Sequence, residues 1–327
     1  MTVGAVTSFT LLNQNASWHF YGKDDNVSRN LKITLAYDGA DFRGWQIQPG
    51  FPTVQGTLAE CLGRITGESV LPQGSGRTDA GVHALAQVAS VRVTSPVPER
   101  NLMVALNDIL PPAIRVTGVE IVDDSFHARH SATAKTYRYR IHRNEVCPPF
   151  LARYVCHDPY PMDEDAMIRA SEFIVGTFDF TSFAASDPER NPRLAIMPGR
   201  AGKRVGSSAM AVPRKELEEV LAKIGSQSLD IYEDFVPDAL SQKMGNVRTI
   251  HSSLWARTED EFIYTIRGNG FLHHMVRNLM GTFLQVGKGS LKLEDVPAIL
   301  AAKNRSTAGA TAPACGLYLV SVEYGMP

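Results

Sequence analysis

One carboxylate stands among three glycines in "GSGRTDAGVHALAQ", residues 74–87, with Arg77 two positions before Asp79 and His83 four after it. A carboxylate on a shaped backbone, kept ionised by a nearby cation, is equipped for nucleophilic or base chemistry. The same residue types also make an ordinary turn or a helix cap. The stretch fits neither a dinucleotide fingerprint nor a Walker loop. From these residues alone both roles for Asp79 stay open.

A second group lies between His127 and Arg143, where Arg129, Lys135, Arg138, Arg140 and Arg143 are joined by three histidines and no acid. Tyr137 and Tyr139 alternate with those cations. Cations suit phosphates, and an aromatic ring suits an unstacked base. The alternation equally describes a half-buried strand whose tyrosines fill a core. The third group is "GFLHHMVRN", residues 270–278. Read as helix, it places His273 and His274 on the face of Arg277. Adjacent histidines diverge by about 100° around a helix, and no third ligand is evident, so the spacing argues against a metal centre. Arg277 among apolar neighbours calls for a carboxylate partner or a route to solvent.

These groups need elements to hold them. "LKITLAY" alternates as a strand, with Ile33, Leu35 and Tyr37 on one face. "TVQGTLAECLGRITG" spaces Leu58, Leu62 and Ile65 for a helix that Gly67 stops, and "NLMVALNDIL" reads as a helix closed by Pro111 and Pro112. "AQVASVRV", "KTYRYRIHR", "TIHSSLWAR", "EFIYTIRG" and "GLYLVSVEY" read as strands; "MDEDAMIRASEFIVG" and "FLHHMVRNLMGTFLQVG" read as helices. The fold class is therefore α+β, in two sheet-and-helix halves. The expected division is a weakly ordered tail over 1–29, a half over 30–135 carrying Asp79, and a half over 136–327. The latter holds an insertion at about 184–246, rich in Pro, Gly and Arg (Arg190, Arg193, Arg200, Lys203, Arg204), with a short amphipathic helix in "PRKELEEVLAKIG".

The net charge of −1 excludes a polycation that coats nucleic acid everywhere, and leaves room for a local basic surface. Four cysteines without metal-type spacing fit a reducing cytoplasm. No apolar run reaches the length of a membrane span. The first thirty residues lack the pattern of a signal peptide.

Taken in order, the segments resemble the tRNA pseudouridine synthase A family. "YDGADFRGWQIQP" with "TVQGTLAECL" is similar to its N-terminal signature, and "GSGRTDAGVHALAQVA" to its catalytic loop. "FHARHSATAKTYRYRI" is similar to its central strand and "FDFTSF" to the segment after it. "VRTI", "GNGFLHHMVRNLMGT" and "AGATAPACGLYLVSVEY" are similar to its C-terminal block. The likeness covers nearly everything from Leu31 to Tyr324.

It implies the pseudouridine synthase fold, with a largely antiparallel central sheet and a cleft between the halves. The implied reaction isomerises uridine to pseudouridine on the 3′ side of the tRNA anticodon stem-loop, without cofactor or metal, in a homodimer whose subunits share each tRNA. By the same resemblance Asp79 is the nucleophile, Tyr137 stacks on the target base, and Arg277 pairs with the aspartate. Leu317 lines the pocket, Arg77 helps to evict the base, and Arg129, Lys135 and His83 join the substrate contacts. Phe178 departs from the family, where many members carry histidine, and the stretch from Ala184 to Asn246 is longer than usual. A same-fold synthase with another RNA target and a silent RNA-binding protein are the alternatives. A glycosidic hydrolase would need a second acid at a set distance, and none is evident beside Asp79.

Overall fold

A computed structural model describes residues 28–185 and 245–325. Its strands are β1 (Arg29–Tyr37), β2 (Gln73–Gly74), β3 (His83–Val93), β4 (Ile114–Val122), β5 (Ala132–His142), β6 (Cys156–His157), β7 (Gly176–Asp179), β8 (Val247–Arg257), β9 (Glu261–Gly268) and β10 (Leu317–Tyr324). Its helices are α1 (Val54–Thr66), α2 (Glu99–Ile109), α3 (Glu164–Glu172), α4 (Met275–Gly287) and α5 (Asp295–Ala302).

The strands form one ten-stranded sheet in the order β4-β1-β3-β10-β5-β9-β8-β7, with β2 paired to β3 and β6 to β5. Every pairing is antiparallel except β10 with β3 and β6 with β5. The α+β class is as the residue patterns predict, and the largely antiparallel sheet is as the resemblance implies. Positions 135 and 136, where the two halves were expected to meet, lie inside β5.

Local chemistry accounts for the elements. Leu31, Ile33, Leu35 and Tyr37 alternate into the core from β1. Thr53 caps α1 by accepting from the Gly56 amide, and Gly67 ends that helix with φ 76°, a left-handed value that suits glycine. Asp163 caps α3 in the same way through the Ala166 amide. Tyr137, Tyr139 and Ile141 of β5 enter the core formed with the helices, while Arg138 and Arg140 take the other face. His142 departs from the expected alternation: it is buried at the strand end, its Nε2 3.3 Å from the Val146 carbonyl.

One expected helix is shorter than its sequence suggests. His274 takes φ 58°, and α4 begins only at Met275, so Phe271, His273 and His274 precede the helix rather than line it. The expected tail over 1–29 falls outside the described residues up to position 27, and Arg29 already belongs to β1. Residues 186–244 also lie outside them, including the expected amphipathic helix and Arg190, Arg193, Arg200, Lys203 and Arg204.

Candidate active site

Asp79 is not a helix cap. Its carbonyl accepts from the Val82 amide at 3.1 Å, closing a four-residue turn in which Gly81 takes φ 79°, and β3 follows directly. That positive φ in the third turn position is what glycine permits. The loop rests on residues 39–45: Trp45 donates its amide to the Thr78 carbonyl, and a Cβ at Gly44 would stand 2.4 Å from that same oxygen. Beneath it, Thr78 and Tyr37 share a hydroxyl hydrogen bond of 2.8 Å, and Gln87 ties Tyr37 to the Gly76 carbonyl. Burial pushes the Tyr37 phenol up to about 12, so it remains a neutral hydrogen-bonding strut.

The carboxylate meets its cation from α4. Arg277 donates through Nη1 to Asp79 Oδ2 at 2.8 Å and through Nε to the Ala312 carbonyl at 2.8 Å. Both side chains are nearly enclosed, at 16% and 15% exposed. A single bond to one oxygen leaves Asp79 Oδ1 without a hydrogen bond among the described residues. His274 Nε2 stands 3.4 Å from Oδ2 and His273 Nε2 3.7 Å from Oδ1. Burial lowers the pKa of His274, an effect the Asp79 charge partly offsets, which favours the neutral imidazole.

The two tyrosines of β5 have different surroundings. Tyr139 donates its hydroxyl to the Pro313 carbonyl at 2.9 Å and fills core. Tyr137 packs edge-on to Phe271, with ring centroids 5.0 Å apart. Its pKa is raised by burial first and then by Tyr37 and by the Asp79 charge, which places it within electrostatic reach of that carboxylate. Leu319 lies opposite Tyr137 in the ladder and Leu317 opposite Tyr139, so both leucines join the tyrosine face.

Lys135 reaches the base of the loop and donates to the Ser75 carbonyl at 2.5 Å. Burial, then the charges of Arg129 and Arg248, lower its pKa to about 8. Arg129 is exposed beside it. Arg77 is also exposed, and its Nε donates to Gln46 Oε1 at 3.2 Å.

His83 is not brought to this group. It is buried, its Nδ1 accepts from the Gly39 amide at 3.1 Å, and its Nε2 lies 3.0 Å from the Arg153 carbonyl. Its ring stacks on Tyr318. With both nitrogens engaged in the fold, His83 fastens the start of β3 and has no ring nitrogen to offer a substrate. His273 and His274, by contrast, reach Asp79 although the expected helical spacing set them apart. The left-handed His274 turns the chain so that the two rings stand 4.0 Å apart. Arg248 is a further residue the sequence did not single out. Its signal is the "VRTI" segment: in β8 Arg248 lies opposite Phe178 of β7, and its charge acts on Lys135.

Among the described residues no helix is long and apolar enough to cross a membrane, and the four cysteines are free thiols. Residues 234–325 match the sequence profile of the family described as tRNA pseudouridine synthase. The tRNA pseudouridine synthase A of Solibacter usitatus is 43% identical over 297 residues, covering 90% of this chain and 100% of that protein. The Limosilactobacillus reuteri protein of the same name is 38% identical over 299 residues, covering 90% and 96%. That of Caldicellulosiruptor saccharolyticus is 36% identical over 296 residues, covering 90% and 100%.

Proposed function

The chain belongs to the tRNA pseudouridine synthase A family, and from that premise we propose that Asp79 is the nucleophile on a uridine flipped out of the anticodon arm of tRNA. Isomerisation of a tRNA uridine is the family's activity. The target lies on the 3′ side of the anticodon stem-loop. The observation that carries the role of Asp79 is its half-used carboxylate: Arg277 holds Oδ2 while Oδ1 accepts no hydrogen bond among the described residues.

The atom balance is simple. The N1–C1′ bond of uridine breaks, a C5–C1′ bond forms, and the proton on C5 is exchanged for one on N1. No oxidant, reductant or second substrate enters. The Asp79 oxygen provides the covalent partner that divides this exchange into two easier steps. Arg277 aims the carboxylate by holding Oδ2, acting as a positioning residue. Tyr137 offers a ring for the extruded base, whose removal from the stack costs a few kcal/mol. Leu317 lines the apolar wall, and Arg77 takes part in displacing the base. Lys135 and Arg129 meet the backbone phosphates, which supply affinity more than base identity. The working unit is a cytoplasmic homodimer that shares each tRNA between its subunits.

The test is an unmodified tRNA transcript incubated with wild type and with Asp79→Asn, followed by mapping of pseudouridine. Wild type is expected to modify the 3′ side of the anticodon stem. The variant is expected to lose on the order of 10⁴-fold in rate. Full activity in Asp79→Asn would remove the nucleophile, and modification only elsewhere would remove the anticodon assignment.

A further inference from the structure

His273 and His274 have no part in the chemistry described above, yet both present Nε2 to the same carboxylate. Neither imidazole makes a hydrogen bond to Asp79: the separations are 3.7 and 3.4 Å, and both residues lack side-chain hydrogen bonds among the described residues. His273 Nδ1, the ring nitrogen turned away from Asp79, is buried without a hydrogen-bond partner among the described residues. Three basic atoms, two nitrogens and a carboxylate oxygen, thus converge without a proton shared between them, all within 4.8 Å. Neutral imidazole and carboxylate are the ligands a divalent borderline-soft cation takes.

We infer that Asp79, His273 and His274 form a zinc site whose occupation silences the enzyme by covering the nucleophile.

Zinc takes imidazole nitrogen at about 2.0–2.1 Å and carboxylate oxygen at about 2.0–2.2 Å, which sets tetrahedral ligands about 3.3 Å apart. His273 Nε2 stands 3.7 Å from Oδ1 and His274 Nε2 3.4 Å from Oδ2, and one ligand atom from each of the three residues lies within 4.8 Å of the others, so side-chain rotations must draw the set together. Arg277 keeps its bond to Oδ2 when the metal takes Oδ1, on the side of His273, and His274 then turns from its approach to Oδ2 toward the metal. An outer hydrogen bond of that kind orients a ligating carboxylate. The fourth position is left to water, as in zinc sites with three protein ligands. The positive φ of His274 is what lets two consecutive histidines face one carboxylate. Removing Oδ1 from reach of a uridine stops turnover, a consequence that rests on Asp79 being the nucleophile. Binding of the metal does not rest on it.

The experiment titrates Zn²⁺ into full-length protein, without tRNA, against a chromophoric chelator, for wild type, His273→Gln and Asp79→Asn, with thermal melts to verify folding. One zinc equivalent in wild type is expected to weaken on the order of a hundredfold in each variant. Unchanged affinity and stoichiometry in both folded variants would overturn the site. Co²⁺ in wild type supplies a check that needs no substitution. A visible spectrum of nitrogen and oxygen ligation supports the site, and a thiolate charge-transfer band at the first equivalent, which would place the metal on cysteine, defeats it. Pseudouridylation by wild type should fall with the same zinc dependence and return on chelation. Full turnover at full occupancy would end the silencing claim. Inactive Asp79→Asn with unaltered zinc binding would remove this site and leave the nucleophile standing.

Discussion

Two arginine–carboxylate pairs lie on opposite faces of the central strands, and they are built differently. Arg140 on β5 meets Glu261 on β9 with two bonds, Nε to Oε2 at 2.7 Å and Nη2 to Oε1 at 2.5 Å, so both carboxylate oxygens are used. Arg277 meets Asp79 with one bond and spends its Nε on a backbone carbonyl. A fork-to-fork pair is complete in itself and fixes two strands. A single-bonded pair holds the carboxylate in place while leaving one oxygen without a hydrogen bond among the described residues. Burial hardly distinguishes them, because the Glu261 side chain is 11% exposed and Asp79 16%. What separates the two pairs is how many acceptor sites the cation consumes.

That contrast can be broken in several ways. The largest effect is expected from Arg277→Met, which removes the cation from Asp79. Turnover should fall about 10²–10³-fold, with tRNA affinity much less affected, read from kcat and KM on a tRNA transcript. Equal losses in kcat/KM through KM alone would make Arg277 a binding residue instead. A smaller effect is expected at Lys135, whose proton is held weakly, with a pKa lowered to about 8 by burial and by two guanidinium neighbours. Protonated Lys135 attracts phosphate, so tRNA affinity should decline as pH rises through about 8, and Lys135→Gln should bind about tenfold more weakly and lose that decline.

The same group has a stability signature of defined sign. A lysine whose folded pKa is depressed costs stability below its folded pKa, and the cost disappears as pH rises towards the unfolded value. Wild type should therefore gain on Lys135→Gln in a denaturation series between about pH 8 and 10.5; parallel curves would mean an unshifted amine. The smallest catalytic effect belongs to Glu261→Gln. It should cost about 1–3 kcal/mol in chemical denaturation and leave turnover unchanged. A turnover loss as large as that of Arg277→Met would erase the distinction between the two pairs.

Much of the scaffold was legible from periodicity. The α1 and α2 boundaries follow from Thr53, Gly67 and the Pro111–Pro112 pair, and β5 from its alternating tyrosines. The meeting of Asp79 with Arg277, 198 residues apart, came from likeness to the family, because no local signal spans that distance. What stayed hidden depended on tertiary detail. Tyr137 and Tyr139 share a face and a strand, yet only the neighbours across the core, Phe271 for one and Pro313 for the other, give them different work. His83 carries the right chemistry beside Asp79 but is consumed by Gly39 and Arg153, contacts that no spacing reveals. The helical pattern predicts His273 and His274 inside the helix, and one left-handed backbone angle changes where they point.

The position of β10 has a bearing on how the molecule comes into being. It is the last of the described strands in sequence, yet it occupies the middle of the sheet, parallel to β3 on one side and antiparallel to β5 on the other. During synthesis the strands that flank Asp79, and later those that precede Arg277, emerge before the piece that joins them. Pairings of such long sequence separation are slow to form, because the chain entropy of closing the loop must be overcome first. The ribosome therefore delivers Asp79 and Arg277 on two incomplete sheets. The sheet that brings the two residues together is complete only when residues 317–324 slot between β3 and β5.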